Sequence, residues 1–127
     1  MDISSLEEWQ FGRNKQECDE LFGLVLNGQK RATSFLFCEP VDNVVYSVVA
    51  NWDRSEKILL KSTKFEIKRF CDVTKEHAKL EGEGDKTLEY WRCVHKKFFE
   101  EEAKLQGLSF DENTLIVCEE FDVVGRI

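Results

Sequence analysis

Lys30 and Thr33 stand three residues apart in Gly28-Gln29-Lys30-Arg31-Ala32-Thr33, at the end of an apolar-periodic segment. An ammonium and a hydroxyl at such a junction can converge on one small polar ligand. The same two residues also fit a surface lysine at the negative pole of a helix and a strand threonine. A second stretch, Glu81-Gly82-Glu83-Gly84-Asp85, packs three carboxylates and two glycines into five residues just before a long helical pattern. Hard divalent cations prefer oxygen ligands, so Glu81, Glu83 and Asp85 could surround one. The favoured reading has no metal: Asp85 caps the following helix and Glu83 is exposed, where acids at a helix N-terminus stabilise it.

The elements that must hold these residues follow from periodicity. Cys18, Leu21, Phe22, Val25 and Leu26 recur at helical spacing, which predicts a helix over Gln16–Asn27 with Asn14 as cap and Gly28 as stop. Strands are expected at Thr33–Cys38 and Val44–Asn51, with Trp52-Asp53-Arg54-Ser55 as a turn. Lys57–Ile67 reads as a long, bent strand paired with the preceding one. A short helix over Val73–Leu80 precedes the longest helix, 86–106, whose stripe carries Leu88, Trp91, Val94, His95, Phe98 and Phe99 and whose stop is Gly107. Leu115–Val124 supplies one or two closing strands. Strands mixed with separate helices, without regular βαβ alternation, give an α+β class.

Composition narrows the function classes. The 127 residues form one domain, 1–127, with 42% hydrophobic residues, ten phenylalanines and a single proline, and with no repeat or linker. Twenty-five acids against eighteen bases give a net charge of −7, which disfavours nonspecific grip on a long polyanion and leaves a nucleoside, a nucleotide or a short single strand as partner. The local basic zone of Lys57, Lys61, Lys64, Lys68 and Arg69 reads as a solvated face. Five scattered cysteines without a CxxC pair argue against disulfides and zinc, and most are expected to be small buried hydrophobes. No apolar run approaches the ~20 residues of a membrane span and no signal peptide is evident, so a cytosolic location is expected. Neither a metal nor an organic cofactor is called for.

Four segments in order resemble the ASCH domain family: Trp9-Gln10-Phe11-Gly12; Leu24 through Thr33; Glu81-Gly82-Glu83-Gly84-Asp85 with the following Trp91-Arg92-Cys93-Val94-His95; and Val117 through Val124. The resemblance runs from about Trp9 to Val124. It implies a PUA-like fold, a small curved β-barrel with covering helices, which the pattern of elements permits without dictating. In the small bacterial branch that acts as N4-acetylcytidine amidohydrolase, the catalytic lysine, threonine and glutamate match Lys30, Thr33 and Glu81. Amide hydrolysis needs a nucleophile, a proton acceptor and a donor to the oxyanion. By that resemblance Thr33 attacks or positions water. Lys30 acts as base if burial lowers its pKa, or otherwise as an oxyanion-stabilising cation, and Glu81 orients Lys30 or protonates the leaving amine.

The chain departs from that branch. It is longer, and its Trp9/Phe11 segment and acidic-glycine block resemble another branch of the family. Where that branch often has Gly-Asp before the second strand, this chain has Val44-Val45 ahead of Tyr46, so a rim turn and substrate access are expected to differ. Trp9, Phe11 and Trp52 are candidates to stack a base, Trp9 foremost. Arg92 either pairs with a carboxylate or grips a phosphate. His95 is either a hydrogen-bonded core residue or part of the pocket that holds Glu81. Two further functions stay open: a noncatalytic RNA-binding module, as the fold and the coactivator namesake of the family suggest, and a ribonuclease.

Overall fold

The computed structural model describes residues 2–38 and 45–127. A two-residue strand β1 (Glu8–Trp9) leads to helix α1 (Lys15–Leu26) and then to β2 (Ala32–Leu36). A hairpin joins β3 (Tyr46–Ala50) to the long β4 (Lys57–Arg69). Helices α2 (Lys75–Glu81) and α3 (Leu88–Leu105) precede the closing strand β5 (Leu115–Arg126). Val44, expected to begin a strand and to alter the rim turn, lies outside the described residues.

Local chemistry explains the element ends. Asn14 caps α1 by accepting from the Glu17 amide at 2.9 Å, and Gly28 follows the helix at φ +86°. Trp52 to Ser55 turn the β3–β4 hairpin, where the Asp53 carboxylate accepts from the Ser55 amide at 3.0 Å. The cap of α3 is Thr87, whose hydroxyl accepts from the Tyr90 amide, and not Asp85. Asp85 acts one step earlier, accepting from both the amide and the hydroxyl of Thr87 and so orienting the cap.

The five strands make one mixed sheet in the order β1-β3-β4-β5-β2, with β1 parallel to β3 and the other pairs antiparallel. Among the described residues nothing pairs β1 with β2, so both are edges there and the sheet is not seen to close into the expected barrel. Curvature is nonetheless built in. The β4–β5 register shifts at Leu59/Leu60 and again at Ser62/Lys64, and such irregularities bend and twist a strand.

Because side chains alternate along β5, the sheet carries a core on each face. Phe121 packs with Phe11, Phe22, Val25, Val49, Ile58 and Leu60 under α1. Ile116 and Cys118 pack with Phe70, Val73, Ala78, Trp91 and Phe99 under α2 and α3. Ser34 is in register with Cys118 and Thr33 with Glu119, so these neighbours on β2 leave opposite faces of the sheet.

Two smaller expectations also meet the structure here. Lys57, Lys64, Lys68 and Arg69 each pair with a carboxylate, which makes the basic zone an ion-paired surface. Of the cysteines only Cys18 and Cys118 are buried, so most are not core residues: Cys38 and Cys93 are exposed and Cys71 is half-buried. Among the described residues no helix is long and apolar enough to cross a membrane.

Candidate functional site

The site is assembled where the chain leaving α1 crosses the chain leaving α2. After Gly28, the Arg31 amide donates to the Leu80 carbonyl at 2.7 Å, and the Gln29 side-chain amide donates to the Gly82 carbonyl at 2.6 Å. Gly82 ends α2 in the left-handed region at φ +69°. A Cβ there would lie 2.3 Å from the Gln29 carbonyl oxygen, so only glycine lets the two segments pass this closely. The consequence is that Glu81 and Glu83, one on either side of that glycine, both reach Lys30.

Lys30 Nζ lies 3.1 Å from Glu81 Oε1 and 2.9 Å from Glu83 Oε2, and donates at 3.4 Å to the Glu81 carbonyl. Lys30 and Glu81 are each 1% exposed. The other Glu81 oxygen accepts from Ser34 Oγ at 2.8 Å, Trp91 Nε1 at 2.6 Å and His77 Nε2 at 2.8 Å. His95 completes the cluster: its Nε2 is 3.5 Å from Glu81 Oε1, its Nδ1 donates to the Trp91 carbonyl at 2.9 Å, and its ring stacks on Trp91 at 4.3 Å.

Burial opposes charge on Lys30, Glu81 and His95, and mutual attraction outweighs it. Burial would lower the Lys30 ammonium, but Glu81 and Glu83 hold it above its ordinary value. Burial would raise the Glu81 carboxyl, but Lys30, His95 and the His77 hydrogen bond hold it well below the usual range. His95 is likewise raised, burial being overcome by Glu81. The Lys30 ammonium thus faces two carboxylates in a nearly dry space, with the His95 ring beside them. Glu81, Glu83 and His95 offer ligand atoms within 4.8 Å of one another, a plausible oxygen-and-imidazole set for a metal, but the Lys30 ammonium already bridges its two carboxylates.

Beside this cluster opens a cleft of about 670 Å³ to which all five strands contribute lining residues, the two edge strands included. That volume is within the range of small-molecule sites. Thr33, Ser47, Ser62 and Glu119 give it polar groups, while Trp9, Phe11, Phe65 and Phe98 give it aromatic walls. Phe11 lines the cleft, and its ring centroid lies 5.5 Å from Lys30 Nζ. Ser34 is the direct link, lining the cleft while donating to Glu81.

The ASCH domain model matches residues 7–125, which takes in the crossing, the cluster and the cleft together. The chain belongs to the ASCH domain family. Its fold is similar to the ASCH domain from Lactobacillus crispatus JV V101, with a TM-score of 0.88 and 31% identity over 97% of this chain and 82% of that one. It is similar also to protein EF3133 from Enterococcus faecalis V583, with a TM-score of 0.86 and 29% identity over 94% and 77%. Hypothetical protein PH0355, at 17% identity and a TM-score of 0.60 over 92% and 99%, shares the fold alone. No curated protein matches the chain in sequence.

In this ASCH domain the sequence-predicted residues fall into three groups. Lys30, Glu81 and His95 come together in the buried cluster. Thr33, Trp9 and Phe11 line the cleft, and no hydrogen bond among the described residues joins Thr33 to Lys30 or Glu81. Trp9 is fixed there by donating from Nε1 to Ser47 Oγ at 3.0 Å and by its edge contact with Phe11 at 4.7 Å. Arg92 and Trp52 join neither group; Arg92 donates to the Cys71 carbonyl, and Trp52 is 43% exposed. Glu83, expected to be exposed, is held against Lys30 with its side chain 16% exposed. Sequence reasoning missed Ser34, His77, Trp91 as a polar donor, and Glu119. One signal was available: His77/Glu81 and Trp91/His95 are both i,i+4 pairs, which lie on one helix face.

Proposed function

We propose that this ASCH domain is a nucleoside-scale hydrolase of the amidohydrolase type, acting in the cleft of the curved, PUA-like sheet with Lys30, Thr33 and Glu81 as its machinery. The observation that carries the reading is the buried Lys30–Glu81 pair set directly behind a cleft that bears Thr33. Apolar side chains of similar volume would serve stability about as well as a buried ion pair, so such a pair beside a cleft points to chemistry.

The electrostatics select among the roles. Lys30 is held protonated, which suits a cation that stabilises a developing oxyanion rather than a base. Glu81 keeps that ammonium charged and in place, and Thr33 Oγ supplies or positions the nucleophile. Lys30 does not line the cleft and Phe11 packs against it there, so a substrate reaches the ammonium by turning that ring aside; catalytic contacts commonly tighten only in the complex.

The test is hydrolysis of N4-acetylcytidine by the wild-type protein beside Thr33→Ala. Turnover by wild type that drops at least a hundredfold in the variant, with the melting temperature unchanged, is the expected result. Absence of turnover in the wild type, or equal turnover in both, refutes the assignment.

A further inference from the structure

The cleft holds one polar group that the proposed chemistry does not use. Glu119 is 7% exposed, lines the cleft, and lies across from Thr33 in the β2–β5 register. Its Oε2 accepts from Ser62 Oγ at 2.7 Å. Among the described residues no hydrogen bond reaches its Oε1 and no ion pair neutralises it. A carboxyl group so deeply placed with one oxygen uncommitted is anchored on one side and available on the other.

The surroundings say what it would meet. Trp9, Phe11, Phe65 and Phe98 give flat apolar walls, and Trp9 is locked in position by Ser47. Such walls suit a planar heterocycle, which stacks on aromatic faces whatever its identity. The ionisable lining residues besides Cys38 are Glu7, Glu102 and Glu119, and among the described residues no lysine or arginine lines the cleft. A phosphate dianion entering there would face carboxylates without a partner, the opposite of the arginine- and lysine-rich sites that hold phosphates.

Resting on the nucleoside-directed reading above, we infer that Glu119 is the specificity-determining residue of the cleft: its free oxygen hydrogen-bonds the polar edge of a planar, unphosphorylated heterocyclic ligand, and the acidic lining rejects the phosphorylated form. Burial, opposed by the Ser62 hydroxyl and reinforced by Glu7, raises the Glu119 carboxyl. That lets it accept from a ring N–H when ionised and donate to a ring carbonyl when protonated. A site built around one buried hydrogen-bonding group discriminates strongly against a ligand that leaves the group unpaired.

Binding calorimetry with cytidine and cytidine 5′-monophosphate tests this without turnover, since neither carries an acyl amide. Wild type is expected to bind cytidine at least tenfold more tightly than the monophosphate at low salt, with the gap narrowing as salt screens the lining. Glu119→Ala is expected to weaken cytidine binding at least tenfold, and Glu119→Gln, which keeps size and one acceptor, by less. Equal or tighter binding of the monophosphate, unchanged affinity in both Glu119 variants, or no binding of cytidine by wild type each overturns the inference. Cytidine binding that depends on Glu119 without hydrolysis of N4-acetylcytidine sinks the amidohydrolase reading alone. Hydrolysis that is indifferent to Glu119 does the reverse.

Discussion

Removing one partner from the Lys30–Glu81 pair should cost far more than removing both charges. In Lys30→Met the apolar chain fills most of the lysine volume, so packing changes little. Glu81 keeps its three donors, Ser34, His77 and Trp91, but loses its nearest full cation in a space where both partners are 1% exposed. Breaking a buried pair from one side costs about 3–5 kcal/mol, which for a domain of this size is a fall of about 12–20 °C in melting temperature. In Lys30→Met/Glu81→Gln the amide oxygen still accepts from Ser34 and Trp91, and of the two carboxylates that faced Lys30 only the more exposed Glu83 is left without it. The double variant should therefore recover about 2 kcal/mol relative to the sum of the single losses. Urea and thermal unfolding of the four proteins at neutral pH, followed by circular dichroism, closes the cycle. A loss below about 1 kcal/mol for Lys30→Met, or simple additivity in the double variant, would refute the view of the cluster as one coupled buried unit.

Two further outcomes follow from the same geometry. The Glu81 carboxyl is lowered on folding, so its contribution is present above the unfolded carboxyl range and is lost as pH falls toward the folded value. His95 is raised, so its contribution is present below about pH 6.5, the unfolded imidazole value, and is lost as pH rises through its higher folded value. Unfolding free energy against pH should thus fall on the acid side and, separately, as pH rises above about 6.5; His95→Gln should abolish that upper arm, and an unchanged arm would contradict the assignment. Gly82→Ala should destabilise by more than about 2 kcal/mol, through strain at positive φ plus the clash with the Gln29 carbonyl. Gly107→Ala, also at positive φ but with nothing within 4 Å, is the control and should cost about 1 kcal/mol; equal melting temperatures for the two would show that the crossing is not tight.

What the sequence made legible was local. The caps and stops of α1, the stripe on α3 and the length of β4 are written in neighbouring residues: Asn14 and Gly28, Trp91 through Phe99, Ile58 through Ile67. What stayed hidden depends on partners far away in the chain. The pairing of β2 with β5 joins residues some eighty positions apart, and only that register puts Thr33 beside Glu119 and Ser34 over the other face. The closing of the sheet was an inference from resemblance, and pairing between the two edges is absent among the described residues. Glu83 looked like a solvated helix-end acid because the cation it meets, Lys30, lies more than fifty residues earlier. Thr87 against Asp85 as cap was a choice between two good capping residues, which sequence cannot separate when both lie within one turn.

The two halves of the site sit on opposite faces of one edge strand, and this arrangement explains why neither half looks complete. Lys30, Ser34 and Glu81 belong to the helix side, where burial opposes the two charges and their mutual attraction sustains them. Thr33 and Glu119 belong to the cleft side, where a ligand can arrive. An interior ion pair in direct reach of water would be screened and exchange its protons freely; one sealed completely would be useless to a substrate. An edge strand resolves the conflict, because its free side brings residues of both faces to one rim, and Ser34 and Thr33 both line the cleft for that reason. The arrangement gives Phe11 a contact with both halves: it lines the cleft with its ring against the Lys30 ammonium, it belongs to the core under α1, and its neighbour Trp9 is tied to Ser47. A ligand that stacks on Trp9 presses on the ring that packs against Lys30.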